Sequence, residues 1–380
     1  MKNKLSQRIV ILLKAITLLT ILTACGATKT KVKAGRRVFL DFSLEFIGAY
    51  QLPKTTFNNT PVGGLSALTY DREKQRFYAL SDDRSQARFY TLNLRITTTA
   101  TGEIILEEIE VEGVTFLTDE NGNPYQEGTV DTEGIALASS STLFIASEGV
   151  TNKGIAPFVG EFDLQTGKLQ QSLTIPERYL PTAKAGVQDN LGFEALTLSP
   201  HSLTTTDPFR LFTATESALL QDNSEEQNRA PIRLLHYLIN PTGESILVAE
   251  HLYFLDSAPS DVIYNGLTEL TALEKEGYFL SLERTFGFSG TGAKIFQIAM
   301  GNATDISNIP SLKRNTSTIQ PVQKKLLLNL AELGIELDNL EGMTLGPILP
   351  DGSQSLVLIS DDNFRKDQFT QFLLFKIIVN

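Results

Sequence analysis

Gly64-Leu65-Ser66-Ala67-Leu68-Thr69-Tyr70, a short gap, and then Phe77-Tyr78-Ala79-Leu80-Ser81-Asp82-Asp83 is the stretch that decides the fold, because it recurs down the chain. Thr132-Glu133-Gly134-Ile135-Ala136-Leu137 with Leu143-Phe144-Ile145-Ala146-Ser147-Glu148 repeats it. So do Phe193-Glu194-Ala195-Leu196-Thr197-Leu198 with Leu211-Phe212-Thr213-Ala214-Thr215-Glu216, and Gly266-Leu267-Thr268-Glu269-Leu270-Thr271 with Tyr278-Phe279-Leu280-Ser281-Leu282-Glu283. The last copy is Leu340-Glu341-Gly342-Met343-Thr344-Leu345 with Leu356-Val357-Leu358-Ile359-Ser360-Asp361-Asp362. Copies lie about 60–75 residues apart, a period that suits a four-stranded sheet with long loops. Each reads as two short strands rich in β-branched and aromatic residues, closed by a small residue and an acid. A unit of this size cannot bury both faces of its sheet alone, so the copies must pack around an axis, which makes the expected fold an all-β β-propeller. An early strand (residues 37–48) and the apolar end of the chain (residues 369–378) are expected to share a blade and close the ring. Five repeats plus that composite blade predict six blades.

Composition narrows the function. The chain has 380 residues, with 33 Lys and Arg against 44 Asp and Glu, a formal net charge of −11. No basic run exists to follow a phosphate backbone, so nucleic acid is not an expected partner. One Cys excludes an internal disulfide and a thiolate metal framework, and three scattered His (His201, His236, His251) argue against a multi-His zinc site. Long amphipathic helices are missing; the clearest helical pattern is Gln323 to Leu333, ended by Gly334.

The single cysteine has a role of its own. Lys2, Lys4 and Arg8 precede a mostly apolar stretch, and Leu22-Thr23-Ala24-Cys25 follows with Gly26 behind it. This reads as a secretory signal peptide over residues 1–24 ending in a lipobox-like sequence, with Cys25 the lipidated residue. The apolar stretch spans only about 14–16 residues and Lys14 interrupts it, against the roughly 20 a membrane span needs. Residues 25–36 then form a short tether, and residues 37–380 form the propeller. Exported and anchored in the bacterial cell envelope, the mature chain carries 29 basic and 44 acidic residues, a net −15.

Chemistry concentrates at the repeated acids. Asp82, Asp83, Glu133, Glu148, Glu194, Glu216, Glu269, Glu283, Glu341, Asp361 and Asp362 occupy matching positions in the repeats, and a ring brings matching positions to one hub. Crowded like charges persist only where cations, arginines or raised pKa values relieve them. A hard cation held by oxygens, Ca²⁺ before others, fits a site rich in carboxylate and poor in His and Cys. Arg84, Arg284 and Arg365 follow the second acid of their repeats and offer guanidinium groups to a phosphate, with Asn363 beside them as a further polar contact. Glu133, Glu194, Glu341, Asp361 and Arg284 are the expected catalytic set, acting with an activated water on a phosphoryl group. The plainer reading is that acids at strand ends accept backbone N–H groups of the next blade and hold the ring together.

Other strings fail as motifs. Residues 119–130 begin like a calcium loop, but Pro124 stands where the turn needs Gly and Val130 where it needs Glu. Residues 287–294 mimic a phosphate loop, yet Ala293 displaces the lysine, so a flexible loop is expected. Neither Ser66 nor Ser289 lies in a nucleophile elbow, since Leu68 and Thr291 occupy its last position.

Asp131-Thr132-Glu133-Gly134-Ile135-Ala136, Gly192-Phe193-Glu194-Ala195-Leu196, Leu280-Ser281-Leu282-Glu283-Arg284, and residues 338–347 (DNLEGMTLGP) with 358–364 (LISDDNF) resemble the phytase-like family described as "esterase-like activity of phytase". The resemblance spans nearly the whole mature chain. It implies a propeller-like fold and cleavage of phosphate esters. The repeats characteristic of calcium-dependent propeller phytases are not recognisable, so phytate is not the implied substrate. Two functions follow: a Ca²⁺-dependent phosphoesterase, or a non-catalytic lipoprotein that binds a ligand or partner on the same face and uses calcium for its fold.

Overall fold

Arg76-Phe77-Tyr78-Ala79-Leu80-Ser81 is buried on both faces of its strand, and so is nearly every second strand of the repeats. Strands of this kind need cover on two sides, and the molecule supplies it by ringing five four-stranded antiparallel sheets. The computed structural model describes residues 38–199, 207–223, 229–257, 260–288, 290–313 and 316–379. The expected signal peptide, Cys25 and tether lie outside the described residues, as do His201 and Ser289.

Blade one holds β4 (Leu65–Asp71), β5 (Arg76–Ser81), β6 (Arg88–Thr98) and β7 (Ile104–Phe116). Blade two holds β8 (Thr132–Ser139), β9 (Thr142–Ser147), β10 (Phe158–Asp163) and β11 (Leu169–Ser172). Blade three holds β12 (Phe193–Leu198), β13 (Phe209–Thr215), β14 (Pro231–Ile239) and β15 (Ile246–Phe254). Blade four holds β16 (Val262–Ala272), β17 (Tyr278–Gly287), β18 (Gly290–Ala299) and β19 (Gln323–Asn329). Blade five is composite: β20 (Asn339–Ile348), β21 (Gln354–Asp361) and β22 (Thr370–Val379), with β1 (Phe42–Leu52) pairing antiparallel to β22 as its outer strand. A small hairpin, β2 (Thr55–Phe57) with β3 (Thr60–Val62), links β1 to blade one.

The expected closure by both ends of the chain is present, but the count is five blades rather than six. The terminal strands do not form a blade of their own. They complete the one that the fifth repeat begins, because β20 and β21 need two more partners and the repeat supplies none. The helix expected from Gln323 to Leu333 is instead β19 followed by a single 3₁₀ turn, Leu330–Leu333. The backbone of residues 323–329 pairs with β18, and that ladder outweighs the leucine spacing. The Gly-rich residues 287–294 are mostly strand: Gly287 pairs with Gly290 across the β17–β18 turn.

The core lies between blades. Tyr78, Leu80 and Phe89 of blade one pack on Ile135, Leu143 and Phe162 of blade two. Phe144 and Ala146 meet Leu196, Leu211 and Tyr237 of blade three. Phe212 and Ala214 meet Leu270, Phe279 and Phe296 of blade four, while blade five gives Val357, Ile359 and Phe372 to Leu68 and Phe77 of blade one. Burying a Phe or Leu side chain in this way stabilises by about 1.5–3 kcal/mol.

The inner strands β4, β8, β12, β16 and β20 line the axis. At their C-terminal ends threonines stitch neighbouring blades: the N–H of Leu137 donates to Thr69 Oγ1 at 3.2 Å, that of Ala272 to Thr197 Oγ1 at 2.9 Å, and Thr271 Oγ1 to the carbonyl of Met343 at 2.8 Å. A 570 Å³ cavity opens there, lined by these threonines, by small and apolar residues, and by Asp71, Arg72 and Glu73. Among the described residues no helix is long and apolar enough to cross a membrane.

Candidate functional site: the carboxylate hub

Toward the other end of the axis the same five strands each carry a β-bulge one residue wide, near the start of β4, β8, β12 and β20 and in the middle of the longer β16. The extra residues are Ser66, Glu133, Glu194, Thr268 and Glu341. A bulge leaves one residue out of the ladder and re-aims its side chain. The second strand of each blade faces the bulge. The residues paired just before it are Ser81, Ser147, Thr215, Glu283 and Ser360, so the next positions along are Asp82, Glu148, Glu216, Arg284 and Asp361. Two stations per blade thus address the axis. Three of the five bulge residues are acids, and so are four of the five second-strand residues, with Arg284 as the exception.

All of these side chains except Ser66 and Thr268 line one 340 Å³ cavity, together with Asp83, Arg84, Asn190, Asn339, Asn363 and Phe364. Arg284 bridges two blades: Nη2 donates to Glu216 Oε1 at 2.9 Å and Nη1 to Glu341 Oε1 at 2.8 Å, with Asn339 Oδ1 also on Nη1. Asn339 Nδ2 donates to the same Glu341 oxygen at 2.8 Å, the Tyr264 hydroxyl donates to Glu216, and the Tyr264 ring lies 5.2 Å from the guanidinium. On the opposite rim Arg84 Nε donates to Asp131 Oδ1 at 2.7 Å and Nη2 to Asn190 Oδ1 at 2.6 Å. Glu148 Oε1 accepts the N–H of Gly192 at 2.7 Å.

Eight carboxylates thus face two guanidinium groups. Burial, reinforced by one another's charge, holds Asp82, Glu133, Glu148 and Glu194 well above the usual carboxylate range. Burial also raises Glu341, against the pull of Arg284, and pushes Asp361 up to about 6. Asp83 is the exception: bonds from Ser85 and Arg88 outweigh burial and hold it low. Buried acids normally find donors, yet among the described residues Asp82 Oδ1, Glu148 Oε2 and Glu194 Oε2 have none, and Arg284 Nε has no acceptor. Glu148, Glu194 and Glu216 bring carboxylate oxygens within 4.8 Å of one another, and Asp131, Glu133 and Glu148 do the same. An all-oxygen donor set with unmatched lone pairs fits a hard divalent cation, and the acceptor-less guanidinium N–H fits an anion beside it.

The structure brings together Asp82, Asp83, Arg84, Glu133, Glu148, Glu194, Glu216, Arg284, Glu341, Asp361 and Asn363. It sets four other expected residues elsewhere. Glu269 and Glu283 sit one residue away from the hub stations of blade four, which belong to Thr268 and Arg284. Glu269 Oε1 accepts the N–H groups of Leu196 and Leu270 at 3.1 and 2.8 Å, stitching blades three and four. Glu283 points between blades three and four, taking the N–H of Asp256 at 2.8 Å and the Tyr253 hydroxyl on one side and Lys324 on the other. Asp362 Oδ1 accepts the N–H of Gly64 at 2.9 Å, and Lys54 caps its other oxygen. Arg365 is exposed and does not line the cavity. Asp131 and Asn339 each stand two residues before a bulge residue, a spacing that could have marked them, whereas Asn190 and Phe364 carry no repeated sequence signal.

Fold and site together define the class: a five-bladed propeller with a carboxylate-lined axial cavity. The chain belongs to the phytase-like family described as "esterase-like activity of phytase", whose model matches residues 60–364. No curated protein matches it in sequence. Among solved structures it is similar to an endo-arabinase from Bacteroides thetaiotaomicron, at 10% identity and a TM-score of 0.43 over 84% of this chain and 95% of that one. It is also similar to the catalytic domain of an α-L-arabinofuranosidase from Coprinopsis cinerea, at 8% identity and a TM-score of 0.40 over 89% of this chain and 98% of that one.

Proposed function

We propose that this protein is a cation-dependent phosphoester hydrolase working in the hub cavity, exported and held at the cell envelope through a lipid on Cys25. One observation carries the reading: buried oxygens of Asp82, Glu148 and Glu194 without donors stand in the same cavity as an Arg284 Nε without an acceptor. Glu148, Glu194 and Glu216, with Asp131 and Glu133 adjoining, are the residues that would hold the cation, and Ca²⁺ suits them best. Such an ion supplies Lewis acidity and offsets the negative charge that a phosphate brings into an acidic cavity. Arg284 and Arg84 bind and orient phosphate oxygens. Asp361, raised to about 6, exchanges a proton near neutral pH, and Glu341, hydrogen-bonded by Arg284 and Asn339, holds the guanidinium in place.

The test is hydrolysis of phenyl phosphate and other phosphomonoesters by the purified mature chain, with added Ca²⁺ and with chelator. Turnover that needs the cation and disappears in Glu341→Ala and Asp361→Ala, in protein that still unfolds cooperatively, supports the reading. A second reading has its own observation. Arg284 ties Glu216 of blade three to Glu341 of blade five, which is a structural use of the hub charges. A non-catalytic binding propeller stabilised by calcium predicts a chelator-sensitive melting temperature with no turnover.

A further inference from the structure

The cavity wall is charged or amide-bearing at every position but one. Phe364 lines it while remaining 42% exposed. Its backbone is held where a bulky side chain rarely sits: φ is 46° at Asn363 and 52° at Phe364, both left-handed. Neighbours fix that conformation. The N–H of Asn363 donates to Asp361 Oδ1 at 2.7 Å and the N–H of Phe364 to Asp362 Oδ1 at 3.1 Å. Lys54, which caps Asp362, also donates to the Arg365 carbonyl at 2.9 Å.

The ring lies against two glycines. A Cβ on Gly64 would come within 2.4 Å of it and one on Gly63 within 3.2 Å, so neither position has room for a side chain; Gly64 also has a φ of 59°. The Arg88 guanidinium stands 6.0 Å from the ring centroid. A Phe serving only the core would be buried, as Phe372 and Phe375 of the same blade are. This one is clamped in a strained turn with part of its surface open at a polar cavity, and strain of that kind gathers at ligand sites.

We propose that Phe364 is the platform on which a flat, apolar group of the substrate packs. Resting on the reading of the hub as a phosphoester hydrolase, this makes aryl phosphomonoesters the preferred substrates over phosphorylated polyols. The phosphate reaches Arg284 while the aromatic ring meets Phe364. The wall chemistry agrees: eight carboxylates repel a multiply phosphorylated polyol more strongly than a single phosphate.

The experiment is the ratio of kcat/KM for phenyl phosphate over glycerol phosphate, with Ca²⁺, in wild type, Phe364→Ala and Phe364→Trp. The expected result is a wild-type preference for the aryl ester that falls about five- to tenfold in Phe364→Ala and persists in Phe364→Trp. A wild-type ratio near unity, or equal losses on both esters in Phe364→Ala, overturns the platform and leaves the hydrolase reading standing. If wild type hydrolyses neither ester, the hydrolase reading falls, and the platform is then judged by binding. Phenyl phosphate binding more tightly than inorganic phosphate, with the difference lost in Phe364→Ala, supports it, and equal affinities overturn it.

Discussion

The two ends of the five inner strands each open on a cavity along the same axis, yet they are built for opposite things. At the C-terminal end the threonine hydroxyls of Thr69, Thr197 and Thr271 each find a backbone partner on the next blade. Among the described residues, none of the buried polar atoms without partners lies in the larger cavity there. At the N-terminal end four such atoms crowd into the smaller cavity. Size is therefore a poor guide to the working end of this axis. Unmet hydrogen-bonding capacity is the better one, because a buried polar group without a partner costs about 1–3 kcal/mol unless a ligand supplies it.

Breaking the hub at Arg284 is expected to have the largest effect. Arg284→Met leaves Glu216 and Glu341 without their shared cation, and removing one partner of a buried pair costs about 3–5 kcal/mol; urea unfolding of the metal-free protein reads it directly. Glu148→Gln and Glu194→Gln come next. Each is expected to lower kcat/KM for phenyl phosphate by about a hundredfold or more, on the scale of lost acid–base or cation chemistry. In chelator the same variants should melt higher than wild type, since an acid that burial and its neighbours oppose ionising has gone. A lower metal-free melting temperature would show these acids to be structural after all.

The third effect is a pH dependence that one hub acid contributes. Asp361 is raised from 3.8 to about 6, so between those values the folded chain holds a proton that the unfolded chain has released. Its contribution is favourable below that window and is lost as pH rises through about 6, by roughly 2–3 kcal/mol at about 1.36 kcal/mol per pKa unit. His236, lowered by burial to about 4, acts in the opposite sense over an overlapping range. The clean readout is therefore the difference between wild type and Asp361→Asn in chelator, which should be large at pH 8 and vanish near pH 4. The smallest effect belongs to the other end: Thr197→Val, which leaves the N–H of Ala272 without its acceptor, should cost about 1 kcal/mol in stability and leave kcat/KM in place.

The repeats made the ring legible, because apolar strand pairs that end in a small residue and an acid record one buried sheet each. They did not reveal how the ring closes. Periodicity marks where units begin but not which sheet the terminal strands join, so β1 and β22 were counted as a blade they only complete. Blade four shows a second limit. Matching Glu with Glu placed Glu269 and Glu283 at the hub, whereas the bulge at Thr268 advances the register by one and delivers Arg284 instead. The repeats carry the bulge as a single extra residue, which a pattern of apolar alternation cannot distinguish from its neighbours. Phe364 and Asn190 lie in loops, where only the folded ring shows that they reach the axis.

The composite blade also sets the order of events in folding. β22 stands between β21, its neighbour in sequence, and β1, which begins the described fold. Phe42 can meet Val379 only once nearly the entire chain is available, so the closing contact is the most non-local in the molecule and a natural slow step. Until then β1 and β21 present unpaired edges, the kind of template on which partly formed chains associate with one another. A chain cut short before Thr370 would keep both edges permanently open, making solubility rather than catalysis the first property to fail.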